Sequence, residues 1–195
     1  MKKKVILTVI AFCLLAYNVY AASDAFKDNI YNPGALKPVD SELKVKVGQK
    51  APDFMLKAIS GKTLSLKDYT GKKNVVISFV PAAWTPVCSD QWPGYNIISD
   101  IFESNDAILL GITVDNIPTL FSWTNQMGKL WFEVLSDFWP HGKVAAKFGV
   151  LRSDGVAERA LFVIDKKGII RYIDVHNINQ RPLLEDLVRE LEKIK

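Results

Sequence analysis

The chain has 195 residues, 49% of them hydrophobic, with 25 Lys and Arg against 21 Asp and Glu. Three of those lysines, Lys2, Lys3 and Lys4, lie in the first 21 residues, which hold no acid, so the other 174 residues carry 22 basic against 21 acidic groups. That balance leaves no basic stripe to suggest nucleic acid, and the length suits one globular domain with an ample core.

Residues 1–21 have the three-part layout of a secretory signal peptide: the lysines, an apolar stretch over residues 5–16, and the small-residue site Val19-Tyr20-Ala21. The apolar stretch, 12 residues long, is shorter than the roughly 20 needed to span a bilayer. The sequence therefore predicts cleavage after Ala21 or Ala22 and an exported protein, of the bacterial periplasm, with a membrane anchor formed by an uncleaved segment as the alternative. Cys13 would leave with the signal. Cys88 would then be the one cysteine of a protein in a disulfide-permissive compartment, with no internal partner. Its thiol is either an apolar packing group or a reactive one.

Residues 22–46 are polar and turn-rich, with Asn32-Pro33-Gly34 and Lys37-Pro38 breaking any periodicity, and read as a spacer before a domain over residues 47–195. Phe54, Leu56, Leu64 and Leu66 flank the turn Ser60-Gly61-Lys62 and predict a β-hairpin. VVISFV, residues 75–80, is a continuous apolar run expected of a strand buried on both faces. A mostly helical pattern follows Cys88, carrying Tyr95, Ile98, Ile101 and Phe102 and ending near Asn105. AILLGITV, residues 107–114, predicts a second buried strand. Asp115 or Asn116 is placed to cap a helix that Pro118 helps to start, with Leu120, Phe121 and Met127 on its inner face and Gly128 at its end. A third short strand is expected over residues 132–135, then a helix over residues 143–148 that Gly149 terminates. Two strands, residues 160–165 and 169–175, flank the turn Asp165-Lys166-Lys167-Gly168. Pro182 opens an amphipathic last helix using Leu183, Leu184, Leu187, Val188 and Leu191. Strands alternating with helices and finishing on a hairpin and a helix predict an α/β fold with a mixed central sheet flanked by helices.

Cys88 falls where a buried strand gives way to a helix, so its sulfur is expected near unsatisfied backbone N–H groups and the positive end of a helix dipole, which favours thiolate. Thr85, one turn earlier, offers a hydroxyl to the sulfur or to an oxygen that the sulfur attacks. Pro81 lacks an N–H and stiffens the loop. Trp84 and Trp92 flank the cysteine as groove or packing residues. His141 and His176 are far apart, without metal-type spacing, so no metal is expected. No glycine-rich phosphate loop suggests a nucleotide, and no cofactor is expected.

Pro81-x-x-x-Thr85-x-x-Cys88 resembles the active-site signature of the peroxiredoxins, the thioredoxin-fold thiol peroxidases of the alkyl hydroperoxide reductase and thiol-specific antioxidant family. The likeness extends over roughly residues 45–175: Gly48-Gln49-Lys50-Ala51-Pro52-Asp53-Phe54 resembles the family's domain start, and Leu135-Ser136-Asp137 with residues 144–149 resembles a later strand and helix. Arg159 falls where the family places its active-site arginine; on chain position alone it would read as a surface ion pair with Glu158. The resemblance implies a thioredoxin-like fold and attack of the Cys88 thiolate on a peroxide O–O bond to give a sulfenic acid. Arg159 and Thr85 would then stabilise and orient the reacting oxygens.

Thioredoxin-like disulfide exchangers instead carry Trp-Cys-x-x-Cys, whereas this chain reads Trp84-Thr85-Pro86-Val87-Cys88, and Glu158-Arg159-Ala160 stands where they place a cis-proline. Without a second cysteine after signal removal, the resemblance implies a one-cysteine type recycled by an external thiol or a redox-protein reductant, or paired across a homodimer. Gln91 stands where several subfamilies use glutamate or threonine and, with Trp84, is a second-tier candidate. The rival readings are a thiol–disulfide redox protein forming mixed disulfides through Cys88, and a non-enzymatic thioredoxin-like binding module.

Overall fold

The computed structural model describes residues 24–194. The signal assignment to residues 1–21, with Cys13, lies outside the described residues. After a short helix α1 (Asp24–Asp28), the elements run β1 (Met55–Ala58), β2 (Thr63–Ser65), β3 (Asn74–Phe79), α2 (Pro86–Gly94), α3 (Ser99–Ser104), β4 (Ala107–Thr113), α4 (Ile117–Met127), β5 (Glu133–Ser136), α5 (Lys143–Phe148), β6 (Arg159–Ile164), β7 (Ile170–His176) and α6 (Leu184–Glu192). They build one seven-stranded sheet of order β2-β1-β5-β4-β3-β6-β7. The pairs β3–β4 and β4–β5 are parallel and the remaining pairs antiparallel. This is the expected mixed sheet, covered on both faces.

Because side chains alternate along a strand, the sheet divides the apolar residues into two cores. Val75, Ile77 and Phe79 of β3 join Ala160, Phe162 and Ile164 of β6 beneath α5, whose Val144, Ala145 and Phe148 face them. Val76 and Val80, with Leu161 and Val163, point the other way, toward Trp92, Trp123, Leu187 and Leu191 on α2, α4 and α6. Cys88 lies in this second core. Arg159 shares the parity of Leu161 and Val163, so the pleat of β6 turns it to the cysteine's face.

The predicted helix after Cys88 is three pieces: α2, a 3-10 turn over Tyr95–Ile98, and α3. Pro93 lies inside α2; its missing N–H and its ring prevent a regular continuation. Trp92 is fully buried against Trp123, with ring centroids 5.0 Å apart, and against Phe132 at 6.0 Å. Gly111 of β4 makes that packing possible, because a Cβ there would stand 2.8 Å from the Trp92 ring.

Several local expectations shift. Asn116, not Asp115, caps α4 by accepting from the Thr119 N–H at 3.0 Å. The buried stripe of α4 is Leu120, Trp123 and Thr124, while Phe121 is 54% exposed. The last helix begins at Leu184, after Leu183 as an exposed cap residue. The predicted spacer has no regular structure between α1 and β1, yet it is fastened to the domain. Phe26 and Val45 are buried, and the backbone at residues 42–44 crosses so close to Gly149 that a Cβ on that glycine would lie 2.3 Å from the Glu42 carbonyl oxygen. Gly149, at φ +78°, serves both as this passage and as the left-handed end of α5. Among the described residues no helix is long and apolar enough to cross a membrane.

Candidate active site

The chain leaves β3 at Phe79 and enters α2 with Thr85 as the extended N-cap and Pro86 in the first turn. A proline there sacrifices no intrahelical bond. Cys88 follows within that turn, where amides lack acceptors inside the helix. Its side chain is fully buried. The loop between is shaped by backbone contacts that no local motif reveals. Asp115, just past β4, accepts from the Ala83 N–H at 2.8 Å and from the Thr113 hydroxyl. Trp84 adopts φ +61°, a left-handed conformation that is costly for a bulky residue and persists only where its surroundings impose it. The Tyr31 N–H donates to its carbonyl at 2.8 Å, and its ring packs on Phe26 with centroids 5.9 Å apart.

Arg159, 71 positions further along the chain, reaches the sulfur: its Nη2 donates to Cys88 Sγ at 3.5 Å. The guanidinium is buried, with Arg159 only 2% exposed. Its other partners are neutral. Nε and Nη2 donate to the Ile178 carbonyl at 3.1 and 3.0 Å, and Nη1 donates to Gln91 Oε1. The surface pairing with Glu158 does not occur. Glu158 points to the opposite face of β6 and binds Arg152 at 2.8 Å instead. No carboxylate pairs with Arg159 among the described residues. A buried cation needs compensating negative charge, and the one ionisable group within hydrogen-bond reach is the thiol of Cys88.

Gln91 extends this network. Its Nε2 donates to Tyr95 Oη at 2.8 Å and to Ser78 Oγ at 3.3 Å, while Trp92 Nε1 also donates to Ser78 Oγ at 3.3 Å. Burial pushes the Tyr95 phenol up, so it remains a neutral hydroxyl. The amide of Gln91 thus has one orientation that satisfies both its ends: oxygen toward Arg159, nitrogen toward the hydroxyls. Thr85 differs from the expectation in one respect. Its hydroxyl donates to the Ala82 carbonyl at 2.9 Å rather than to the sulfur, which leaves its oxygen as an acceptor.

Beside the thiol, and sharing Arg159 and the neighbouring Val87 with its surroundings, is a cleft of about 530 Å³; Cys88 itself is fully buried behind that lining. Pro81, Ala82, Thr85, Pro86, Val87 and Arg159 form part of its lining, Val156, Ile178 and Asn179 another part, and residues 31–36 a further side. Pro81, Thr85, Cys88, Arg159, Gln91 and Trp84 are therefore brought together, whereas Trp92 belongs to the core. His141 and His176 are engaged elsewhere, His141 with the Gly155 carbonyl and His176 beside Asp174. Ser78 and the Ile178 carbonyl have no signal in the local sequence, and Asp115 and Tyr95 read there only as a helix cap and a helix residue. Tyr95 is one turn from Gln91, whereas Ser78, the Ile178 carbonyl and Asp115 are remote in the chain from Gln91, Arg159 and Ala83.

A single buried thiol touched by a buried guanidinium that also lines a neighbouring cleft, at the start of a helix leaving a central mixed sheet, defines a cysteine-based redox site on a thioredoxin-like fold. Comparison with known proteins agrees. The family model described as AhpC/TSA matches residues 47–173. Alkyl hydroperoxide reductase E of Mycobacterium tuberculosis is 39% identical over 132 residues, covering 67% of this chain and 86% of that one. The chloroplastic 2-cysteine peroxiredoxin of Chattonella marina var. antiqua is 33% identical over 162 residues, covering 78% and 82%. Among solved structures, the reduced 2-Cys peroxiredoxin of Plasmodium vivax superposes with a TM-score of 0.71 at 26% identity, over 76% of this chain and 81% of that one. Mycobacterium tuberculosis AhpC does so with a TM-score of 0.69 at 26% identity, over 76% and 92%. The chain belongs to the AhpC/TSA family and is a peroxiredoxin, a thiol peroxidase.

Proposed function

We propose that this is a one-cysteine peroxiredoxin in which Cys88 reduces hydrogen peroxide or an organic hydroperoxide and is regenerated by an external thiol or a thiol-bearing redox protein. The observation that carries the reading is the Cys88–Arg159 contact around a guanidinium with neutral partners otherwise.

In the first half-reaction the Cys88 sulfur attacks the terminal oxygen of ROOH. An S–O bond forms and the O–O bond breaks, giving the sulfenic acid and RO⁻, which takes up the proton lost by the thiol and leaves as ROH. Arg159 offers its Nη2 to the sulfur and to the charge developing on the oxygens, in a site largely closed to water. Thr85, with its hydrogen committed to Ala82, accepts the peroxide O–H and so orients it. In the second half-reaction one external thiol condenses with the sulfenic acid, releasing water and forming a mixed disulfide. A second thiol then displaces Cys88 as thiol. Cys88 is the one free cysteine among the described residues, which supports an external reductant.

Export is part of the proposal and rests on the signal-like layout of residues 1–21; the alternative in which Cys88 pairs across a homodimer is checked by sedimentation. Stopped-flow tryptophan fluorescence of the reduced protein mixed with peroxide tests the chemistry. A second-order change that disappears in Cys88→Ser, with a dimedone adduct on Cys88 in the parent, is expected. A Cys88→Ser variant as reactive as the parent would overturn the proposal.

A further inference from the structure

Residues 31–36 precede the segment that matches the family, which starts at residue 47, yet they line the cleft beside Cys88, together with Thr85, Val87 and Arg159. They are fixed there at both ends. The Tyr31 N–H donates to the Trp84 carbonyl at 2.8 Å. Asn179 clasps Leu36 from both sides of its peptide, accepting from the Leu36 N–H and donating to the Leu36 carbonyl, each at 2.8 Å. Just beyond, the carbonyls of Lys37 and Pro38 accept from Arg152 and from the Ile178 N–H.

We infer that this arm determines which peroxides the enzyme takes: it completes a preformed apolar wall that holds the tail of an uncharged organic hydroperoxide. The inference rests on the peroxidase reading above and concerns the tail rather than the O–O bond. A molecule the size of two waters occupies only about 60 Å³, far less than the cleft's volume of about 530 Å³, so hydrogen peroxide leaves most of the space unused. The surfaces that remain are Pro33, Ala35 and Leu36 on the arm, facing a lining that includes Val87, Val156 and Ile178. The arm brings no acidic or basic side chain to the cleft. The lining holds one carboxylate, Asp154, and one guanidinium, Arg159, so it carries no net charge to draw an ionised tail. Anchoring the wall in advance lowers the ordering cost of gripping a tail, and one or two methylene contacts in such a pocket are worth about tenfold in discrimination.

The test uses the reduced full chain and compares second-order rate constants for cumene hydroperoxide and hydrogen peroxide. Ala35→Phe fills the wall, and Asn179→Ala releases the Leu36 clasp. Each is expected to lower the cumene-to-hydrogen-peroxide ratio by about tenfold. The second variant keeps the test valid where the first disturbs packing. Ratios that stay within about twofold of the parent in both variants would overturn the arm's role, since discrimination by a pocket wall is a difference between substrates. A parent that reacts with neither peroxide would instead overturn the peroxidase reading, an outcome visible before any variant is made.

Discussion

Arg159 Nη2 stands 3.5 Å from Cys88 Sγ, and every other partner of that guanidinium is neutral. Arg159→Ala is expected to slow peroxide reduction by about two orders of magnitude, the range found when a preorganised donor to developing charge is removed. Arg159→Lys keeps the charge but not the fork that serves the sulfur, Gln91 and Ile178 together, and is expected to recover only a small part of the rate. Stopped-flow kinetics with matched circular dichroism separates the chemical effect from misfolding. Unchanged kinetics in the alanine variant would remove Arg159 from the mechanism.

Glu158→Ala is expected to destabilise the protein by up to about 3 kcal/mol, below the full cost of stranding a buried charge, because Arg152 keeps a second, half-exposed partner in Asp154 at 3.4 Å. The Arg152 and Glu158 side chains are 3% and 0% exposed. Glu158 also accepts the Asp40 and Ser41 N–H groups at 2.6 and 2.9 Å, so the same change loosens residues 37–41. Urea denaturation measures the first effect and hydrogen exchange the second. The pair Arg152→Met with Glu158→Leu, which leaves no stranded charge, is expected to cost less than Glu158→Ala alone.

Gly111→Ala places a methyl 2.8 Å from a Trp92 ring that Trp123 and Phe132 hold in place. Overpacking of this kind costs about 1–3 kcal/mol. A lowered melting temperature with altered tryptophan fluorescence is the expected signature, and a melting temperature equal to the parent's would show that the ring can give way.

Asp40 tethers the arm to the loop after Arg152. It accepts from the Ser153 N–H at 3.0 Å and from the Ser153 hydroxyl, and pairs with Lys37 at 2.7 Å. Those contacts, the Lys37 bond first, hold its carboxyl well below the ordinary value of 3.8. Because the folded value is depressed, the contribution to stability is complete above the unfolded value and is lost as pH falls through the folded one. The stability gap between the parent and Asp40→Asn is therefore expected to be constant from neutral pH to about 5 and to close below about 4. A gap that persists unchanged at pH 2 would contradict the tether.

The buried strands were legible because β3 and β4 are largely apolar and rich in Val, Ile and Leu, and the reactive thiol because a proline, a threonine and a cysteine share one short stretch. Arg159 was found by resemblance, but the reason it works is the parity of β6, which places it with Leu161 and Val163 on the cysteine's face. Residues 29–46 looked like a linker for a physical reason: they dock mainly through backbone N–H and C=O groups, and such bonds leave no hydrophobic period to read. Phe121 was assigned to the core on hydrophobicity alone, whereas the helical stripe through Leu120, Trp123 and Thr124 passes beside it. Gln91 could not be given its role from local sequence, since Ser78, Tyr95 and Arg159 reach it from three different elements.

Tyr31 holds the carbonyl of Trp84, and Trp84 is bonded directly to Thr85 at the start of the reactive helix. A stretch of chain outside the shared domain thus meets the catalytic loop at a residue in an unfavourable backbone conformation. Substitutions in six arm positions can change what enters the cleft while Cys88, Thr85 and Arg159 stay as they are. The arm thus adds to the choice of substrate from a part of the chain that carries none of the reacting groups, so selection can revise that contribution without rewriting the chemistry.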